Sequence, residues 1–158
     1  MMLTKFKRSF SSLANNFFNL SINIETPNIL LTPMKTDHIV NLIPLLNYAD
    51  LWTYNPRFMC KDEKDIKSYL DKSLLQKEKQ ERFPLLIYKK ENKQLAGTTS
   101  FYNISFSNKT ICIGYTIISP HFQRTGINQE CKKMMLDWCF GEMEFERVEF
   151  RVDKKNEK

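Results

Sequence analysis

Only two histidines, His38 and His121, occur in the 158 residues, and they stand too far apart in sequence and pattern to suggest a shared site. A zinc enzyme built on them would need carboxylates to complete its ligand set. The four cysteines, Cys60, Cys112, Cys131 and Cys139, lack metal-ligand spacing, and three of them sit inside apolar patterns where cysteine behaves as a small hydrophobe. Buried free thiols in a reducing compartment are therefore expected, with no metal centre and no disulfide. No apolar run approaches the length needed to cross a bilayer, so no membrane partner is expected. Glycine is scarce, at four residues, and the chain contains neither a G-x-G-x-x-G after its first strand pattern nor a Gly-Lys-Ser/Thr phosphate loop. Both of these nucleotide fingerprints are thereby excluded. Internal repeats and low-complexity segments are absent as well.

What is present suits one globular domain. Hydrophobic residues make up 42% of the chain and aromatics 13%, enough to bury one sizeable core. The formal charge of +6 raises the question of nucleic acid, but lysine and arginine are interspersed with acids, as in Lys61-Asp62-Glu63-Lys64-Asp65, which reads as a solvated helix face. A nucleic-acid partner would call for a clustered patch with exposed aromatics, and none is legible. The positive balance would instead draw in an anionic cofactor or an acidic surface. Residues 1–24 contain no acid and mix Lys5, Lys7 and Arg8 with serines and phenylalanines. That composition fits a mitochondrial transit peptide; a basic extension that packs weakly, on a cytoplasmic protein, is the plainer expectation.

Hydrophobic periodicity outlines the elements. Ile29 to Leu31 reads as a strand, and Thr36 or Asp37 should cap a helix carrying Ile39, Leu42, Ile43 and Leu46, which Pro44 should kink or shorten. A second helix runs from Asp62 to about Glu81 with Ile66, Tyr69, Leu70, Leu74 and the Lys77 stem inward. Three strands follow as a meander, over 83–89, 94–106 and 110–119. After a loop, Ile127, Cys131, Met134, Met135 and Trp138 mark one face of a helix ending near Gly141, and 147–152 forms a last strand parallel to the one before the loop. The fold class is α/β, with a mixed, mostly antiparallel sheet flanked by helices.

The loop itself, Gln123-Arg124-Thr125-Gly126-Ile127-Asn128, is the most informative stretch, because it joins a strand pattern to an amphipathic helix. Glycine lets the backbone approach a ligand closely, and the N–H groups of a helix's first turn have no partner within the helix. Together they predict a cradle for phosphate or pyrophosphate. Gly114, inside the preceding strand, predicts a bulge or close backbone approach there, and a mere packing accommodation fits it equally well.

The segment Ile113 to Lys132, IGYTIISPHFQRTGINQECK, resembles the pyrophosphate loop of the GNAT acyl-CoA N-acyltransferases, and within them the branch of ribosomal-protein N-acetyltransferases of the RimJ/RimL kind. That loop reads Gln/Arg-x-x-Gly-x-Gly/Ala; Gln123 and Gly126 fit it, and Asn128 departs at the last small position. Further matches fall in the family's order: Leu31-Thr32-Pro33 with Asp37-His38, Leu51-Trp52 with Pro56, Leu95-Ala96-Gly97-Thr98, and Arg147-Val148-Glu149-Phe150 with Asp153 and Asn156. The resemblance implies a GNAT-like domain over residues 25–158, following the extension of 1–24. It implies acetyl-CoA as co-substrate and transfer of the acetyl group by direct attack to a primary amine, on a small molecule or at a protein N-terminus. By position, the main chain of Ile117 and Ile118 would pair with the pantetheine arm in a gap between splayed strands. Gln123, Arg124, Thr125, Gly126, Ile127 and Asn128 would hold the pyrophosphate, Asn156 would contact the cofactor, and Trp52 and Tyr54 would wall the acceptor pocket.

Two departures from the family accompany these matches. The branch often carries a glutamate where Cys112 stands, so no catalytic residue is assigned and Cys112 is expected to be an inert buried thiol. The family also continues past its asparagine into a further helix and two strands, whereas this sequence stops at Lys158. The last strand should then present a bare edge, which invites pairing with a second copy of the chain or another partner. A catalytically inactive acyl-CoA-binding module, or a shortened remnant of an enzyme, is the alternative function, and the acceptor amine is not legible.

Overall fold

The computed structural model describes residues 16–20, 24–52 and 60–152. Six strands form one sheet in strict chain order: β1 (Ile24–Glu25), β2 (Ile29–Pro33), β3 (Arg82–Lys89), β4 (Gln94–Ser105), β5 (Thr110–Ile118) and β6 (Arg147–Phe150). The first five pair antiparallel, and β6 pairs parallel with β5. Parallel strands need a crossover, here supplied by α3 (Ile127–Asp137) and a π-helical turn, Trp138–Glu142, that runs through Gly141. The expected mixed sheet and the parallel last strand are both present.

Both faces of the sheet are covered. On one, α3 packs Cys131, Met134 and Met135 against Ile29, Leu31, Leu85, Ile87, Phe101, Ile111 and Ile113. On the other, α1 (Ile39–Leu46) and α2 (Glu63–Glu78) pack Leu42, Leu46, Ile66 and Leu70 against Leu86 and Ile117. Side chains alternate across a strand, so Leu85 and Ile87 serve the first core while Leu86 serves the second. A strand buried on both sides reads as an unbroken apolar run, which is why Phe-Pro-Leu-Leu-Ile in β3 shows no polar alternation.

Local signals explain the helix starts, with one correction. Asp62 caps α2 by accepting from the Asp65 N–H at 2.9 Å. Thr36 and Asp37, expected to cap α1, instead lie within a 3-10 turn, Thr36–His38, that leads into it. That turn is closed by a histidine: His38 Nδ1 accepts from the Lys35 N–H at 3.0 Å. Pro44 sits inside α1, which ends two residues later, as a residue without an N–H should dictate.

The domain also begins earlier than residue 25. Phe17 and Phe18, assigned by composition to a weakly packing extension, are buried in the α3-side core. The Phe17 ring meets Phe83 at 5.4 Å and Trp138 at 5.9 Å between centroids, edge-on and tilted respectively. Burying each phenylalanine contributes about 2 kcal/mol toward holding this part of a basic segment on the domain. The four cysteines are buried and none forms a disulfide among the described residues. Burial pushes the thiols of Cys60 and Cys131 up to about 11 and that of Cys139 up to about 12. Among the described residues no three histidine, cysteine or acidic side chains gather as a metal site, and no helix is long and apolar enough to cross a membrane.

Candidate functional site

The loop between β5 and α3 holds its shape through its own side chains. Gln123 Nε2 donates to the Ile118 carbonyl at 3.1 Å, and its N–H donates to the Ser119 carbonyl at 3.1 Å. Thr125 Oγ1 donates to the Phe122 carbonyl at 2.7 Å. Gly126 caps α3 with φ of 88°, a left-handed conformation that glycine adopts without cost. A Cβ placed there would meet nothing within 4 Å, so open space lies in front of this backbone. The first bond of the helix runs from the Glu130 N–H to the Gly126 carbonyl at 2.9 Å. The N–H groups of Ile127, Asn128 and Gln129 precede it and have no partner within the helix. Arg124, Thr125 and Asn128 are exposed, whereas the Ile127 side chain is buried in the core and offers only its N–H. The six loop residues are thus brought together around a helix start whose first N–H groups have no partner within the helix.

This loop continues an open strand edge. β6 pairs with β5 only from Thr110↔Arg147 to Ile113↔Phe150. Beyond Ile113, β5 runs on to Ile118 with β4 on one side and no described strand on the other. Ile117 and Ile118 both lie on this free length, with their side chains in opposite cores. The departure coincides with a bulge. Thr98 pairs with Ile117 while Ser100 pairs with Gly114, so Thr99 alone faces Tyr115 and Thr116. Gly114 is accounted for by its neighbour, since a Cβ there would come within 2.7 Å of Tyr102 Cε1.

On the α2 face of the sheet the bulge is clamped. Tyr115 adopts a left-handed φ of 52°, a costly conformation for an aromatic residue. Its ring is met edge-on by Tyr102 at 5.1 Å and lies under the Arg82 guanidinium at 3.9 Å. Arg82 is 2% exposed and pairs with no carboxylate among the described residues. Four neutral oxygens satisfy it: Ser100 Oγ at 2.7 Å, Tyr69 OH at 3.0 Å, Ser73 Oγ at 3.2 Å and Gln76 Oε1 at 3.4 Å.

Next to this clamp lies the chemistry that the sequence did not expose. Cys112 is buried, and across the parallel register it faces Glu149, whose Oε2 accepts from the Cys112 thiol at 3.8 Å. A carboxylate absent from β5 is thereby delivered by β6. Arg147 at 2.9 Å and Arg151 at 3.8 Å flank the Glu149 carboxylate. Burial, reinforced by the nearby Cys112, raises the Tyr102 phenol above the usual tyrosine value, so it stays protonated and able to donate. On the opposite, α3 face, Lys132 Nζ donates to Thr116 Oγ1 and, at 3.3 Å, to Thr99 Oγ1. Burial pulls its ammonium down to about 8, and no described carboxylate pairs with it.

Trp52 has a different place from the one the resemblance implied. It is 1% exposed, its indole donates to the Leu46 carbonyl at 3.2 Å, and it packs edge-on against Tyr69, so it belongs to the core rather than to an open pocket wall. Tyr54 and Asn156 lie outside the described residues. The two histidines are apart, His38 in its turn and His121 at 3.1 Å from the Tyr48 hydroxyl.

Comparison with known proteins agrees with this geometry. The fold matches a GCN5-related N-acetyltransferase from Brucella melitensis with a TM-score of 0.77 and 17% identity, covering 87% of this chain and 63% of that one. It matches an acetyltransferase of the GNAT family from Bacillus anthracis (TM-score 0.71, 18% identity, 85% and 76% covered). It also matches a ribosomal-protein-S5-alanine acetyltransferase from Vibrio fischeri (0.66, 18%, 86% and 76%). At such identities the likeness is one of fold. No curated protein matches the sequence. The model of the acetyltransferase (GNAT) domain, however, matches residues 28–158. With that match over most of its length, and with a β5 edge unpaired beyond Ile113 leading into a glycine-capped helix, the chain belongs to the GNAT acetyltransferase family.

Proposed function

We propose that this protein is an N-acyltransferase that moves the acetyl group of acetyl-CoA to a primary amine by direct attack. The observation that carries this reading is the continuity between the unpaired β5 edge beyond Ile113 and the helix start at Gly126. An extended arm fits the edge, and its pyrophosphate fits the helix start, where the free N–H groups, the left-handed glycine and the exposed Arg124 converge. Ile117 and Ile118 would offer main chain to the arm, while Asn156 and Tyr54 keep the cofactor and acceptor roles that the resemblance implies. Bound acetyl-CoA supplies an activated acyl thioester.

The chain's own groups supply the proton handling. An amine attacks only when neutral, so a base must take its proton, directly or through water. Glu149 is the carboxylate placed beside the strand separation, and the protonated Tyr102 phenol on the same face is the donor available to a departing thiolate. An inactive acyl-CoA-binding module is the second reading, favoured by Cys112 standing where the branch often has glutamate.

Calorimetric titration with acetyl-CoA, desulfo-CoA and ATP tests the cofactor, and release of free CoA thiol across a panel of amines tests the transfer. Micromolar binding of the two CoA compounds but not ATP, followed by amine-dependent thiol release, is expected. Binding without release for any amine would leave the module, and a folded sample that ignores acetyl-CoA would overturn both readings.

A further inference from the structure

Lys132 is a half-buried amine that the transfer reaction leaves unused. It stands on α3, and its stem carries Nζ down onto the sheet, where Thr116 of β5 and Thr99 of β4 accept its hydrogen bonds. The Phe150 ring, at the last paired position of β6, is 5.9 Å from Nζ. The amine therefore lies beside the open edge of β5, between its first unpaired stretch and the end of β6.

Its environment is unfavourable for a cation. Hydroxyls are its hydrogen-bond partners and no described carboxylate compensates it, so burial works against the charged form. Near neutral pH a few per cent or more of the chains hold it as a free amine, which is the nucleophilic form.

From this placement we infer that Lys132 is a self-acylation site, which takes the acyl group from a thioester bound in the adjoining strand gap. The inference rests on the acyl-CoA reading of that gap. The Nζ lone pair attacks the thioester carbonyl carbon, a C–N bond forms and the C–S bond breaks. The electron pair leaves with sulfur, and the proton lost from nitrogen ends on solvent or on the departing CoA thiol. The product is a neutral amide whose remaining N–H still suits Thr116, so acylation removes the charge that burial disfavours. The added acyl group occupies space beside the open edge of β5, so a modified chain should bind a second acyl-CoA more weakly.

The experiment incubates the full chain with acetyl-CoA alone, with no acceptor amine, and maps acetyl-lysines by peptide mass spectrometry alongside calorimetry. Rapid acetylation at Lys132, suppressed by excess CoA while slow labelling of surface lysines persists, is expected. Lys132→Arg should lose that product and retain binding; because the mapping is made on the unaltered chain, a misfolded variant would not obscure the result. Acetyl-CoA binding with Lys132 unmodified overturns this inference and leaves the cofactor reading intact. Absence of binding overturns both.

Discussion

Replacing Lys132 by methionine should stabilise the fold near neutral pH and lose that advantage in alkali. Burial lowers the ammonium from its ordinary 10.5 to about 8 in the folded chain, a span worth about 3 kcal/mol. The unfolded chain holds this proton up to the ordinary value, while the folded chain releases it near 8. Between those limits the unfolded state binds more protons, so unfolding free energy rises with pH, and below 8 the full penalty weighs on the fold. Methionine fills similar space without charge. It forfeits the bonds to Thr116 and Thr99, about 1 kcal/mol, but these hydroxyls keep each other at 3.0 Å. A net gain of about 2 kcal/mol is expected at neutral pH, falling to nothing or a small loss by about pH 10.5. Urea unfolding of both proteins across that range measures it. The raised thiols of Cys60 and Cys139 titrate in both proteins and cancel in the difference, and the comparison is read below about pH 10, before the Cys131 thiol, which Lys132 holds down, begins to ionise. A variant less stable at neutral pH, or a difference that ignores pH, would refute the reasoning.

Three further outcomes bear on the site. Gly126→Ala forces a left-handed alanine, so it should cost about 1 kcal/mol of stability and weaken acetyl-CoA binding by calorimetry, although its methyl meets no atom; unchanged affinity would remove the cradle assignment. Glu149→Gln should slow amine-dependent thiol release about 100-fold while acetyl-CoA affinity holds, and a rate like that of the unaltered protein would strip Glu149 of its role. Arg82→Lys should lose about 2 kcal/mol in urea unfolding and fail as a conservative change, because an ammonium cannot stack on Tyr115 and reach four oxygens at once; full stability would show that the clamp is idle.

Much of this was legible wherever one residue's chemistry decides local structure. Asp62 announces α2, Gly126 announces the start of α3, and the spacing of Ile127, Cys131, Met134 and Met135 gives α3 its buried face. Legibility failed where the decisive fact is a partner distant in the chain. Glu149 reads as an ordinary strand acid until the parallel register sets it beside Cys112, 37 residues away. Arg82 reads as a surface cation until Ser73, Ser100 and Tyr69 converge on it. Gly114 hinted at a bulge, but the residue that takes the strained backbone is Tyr115, which no propensity would select. Phe17 was hidden by the basic residues around it, because composition averages over the one side chain that docks.

The sheet's strict chain order has a kinetic consequence. Each new strand emerges beside a partner already made, so the ladder from β2 to β5 can close through short loops and a helical excursion, at modest entropic cost. Helix α3 is different. Glu130 in its first turn is tied to Thr26 and Asn28, and Phe17 reaches Trp138 at its far end, pairings more than 100 residues apart. The residues around β1 therefore wait for partners synthesised more than 100 residues later, and α3 is seated only when both segments are present.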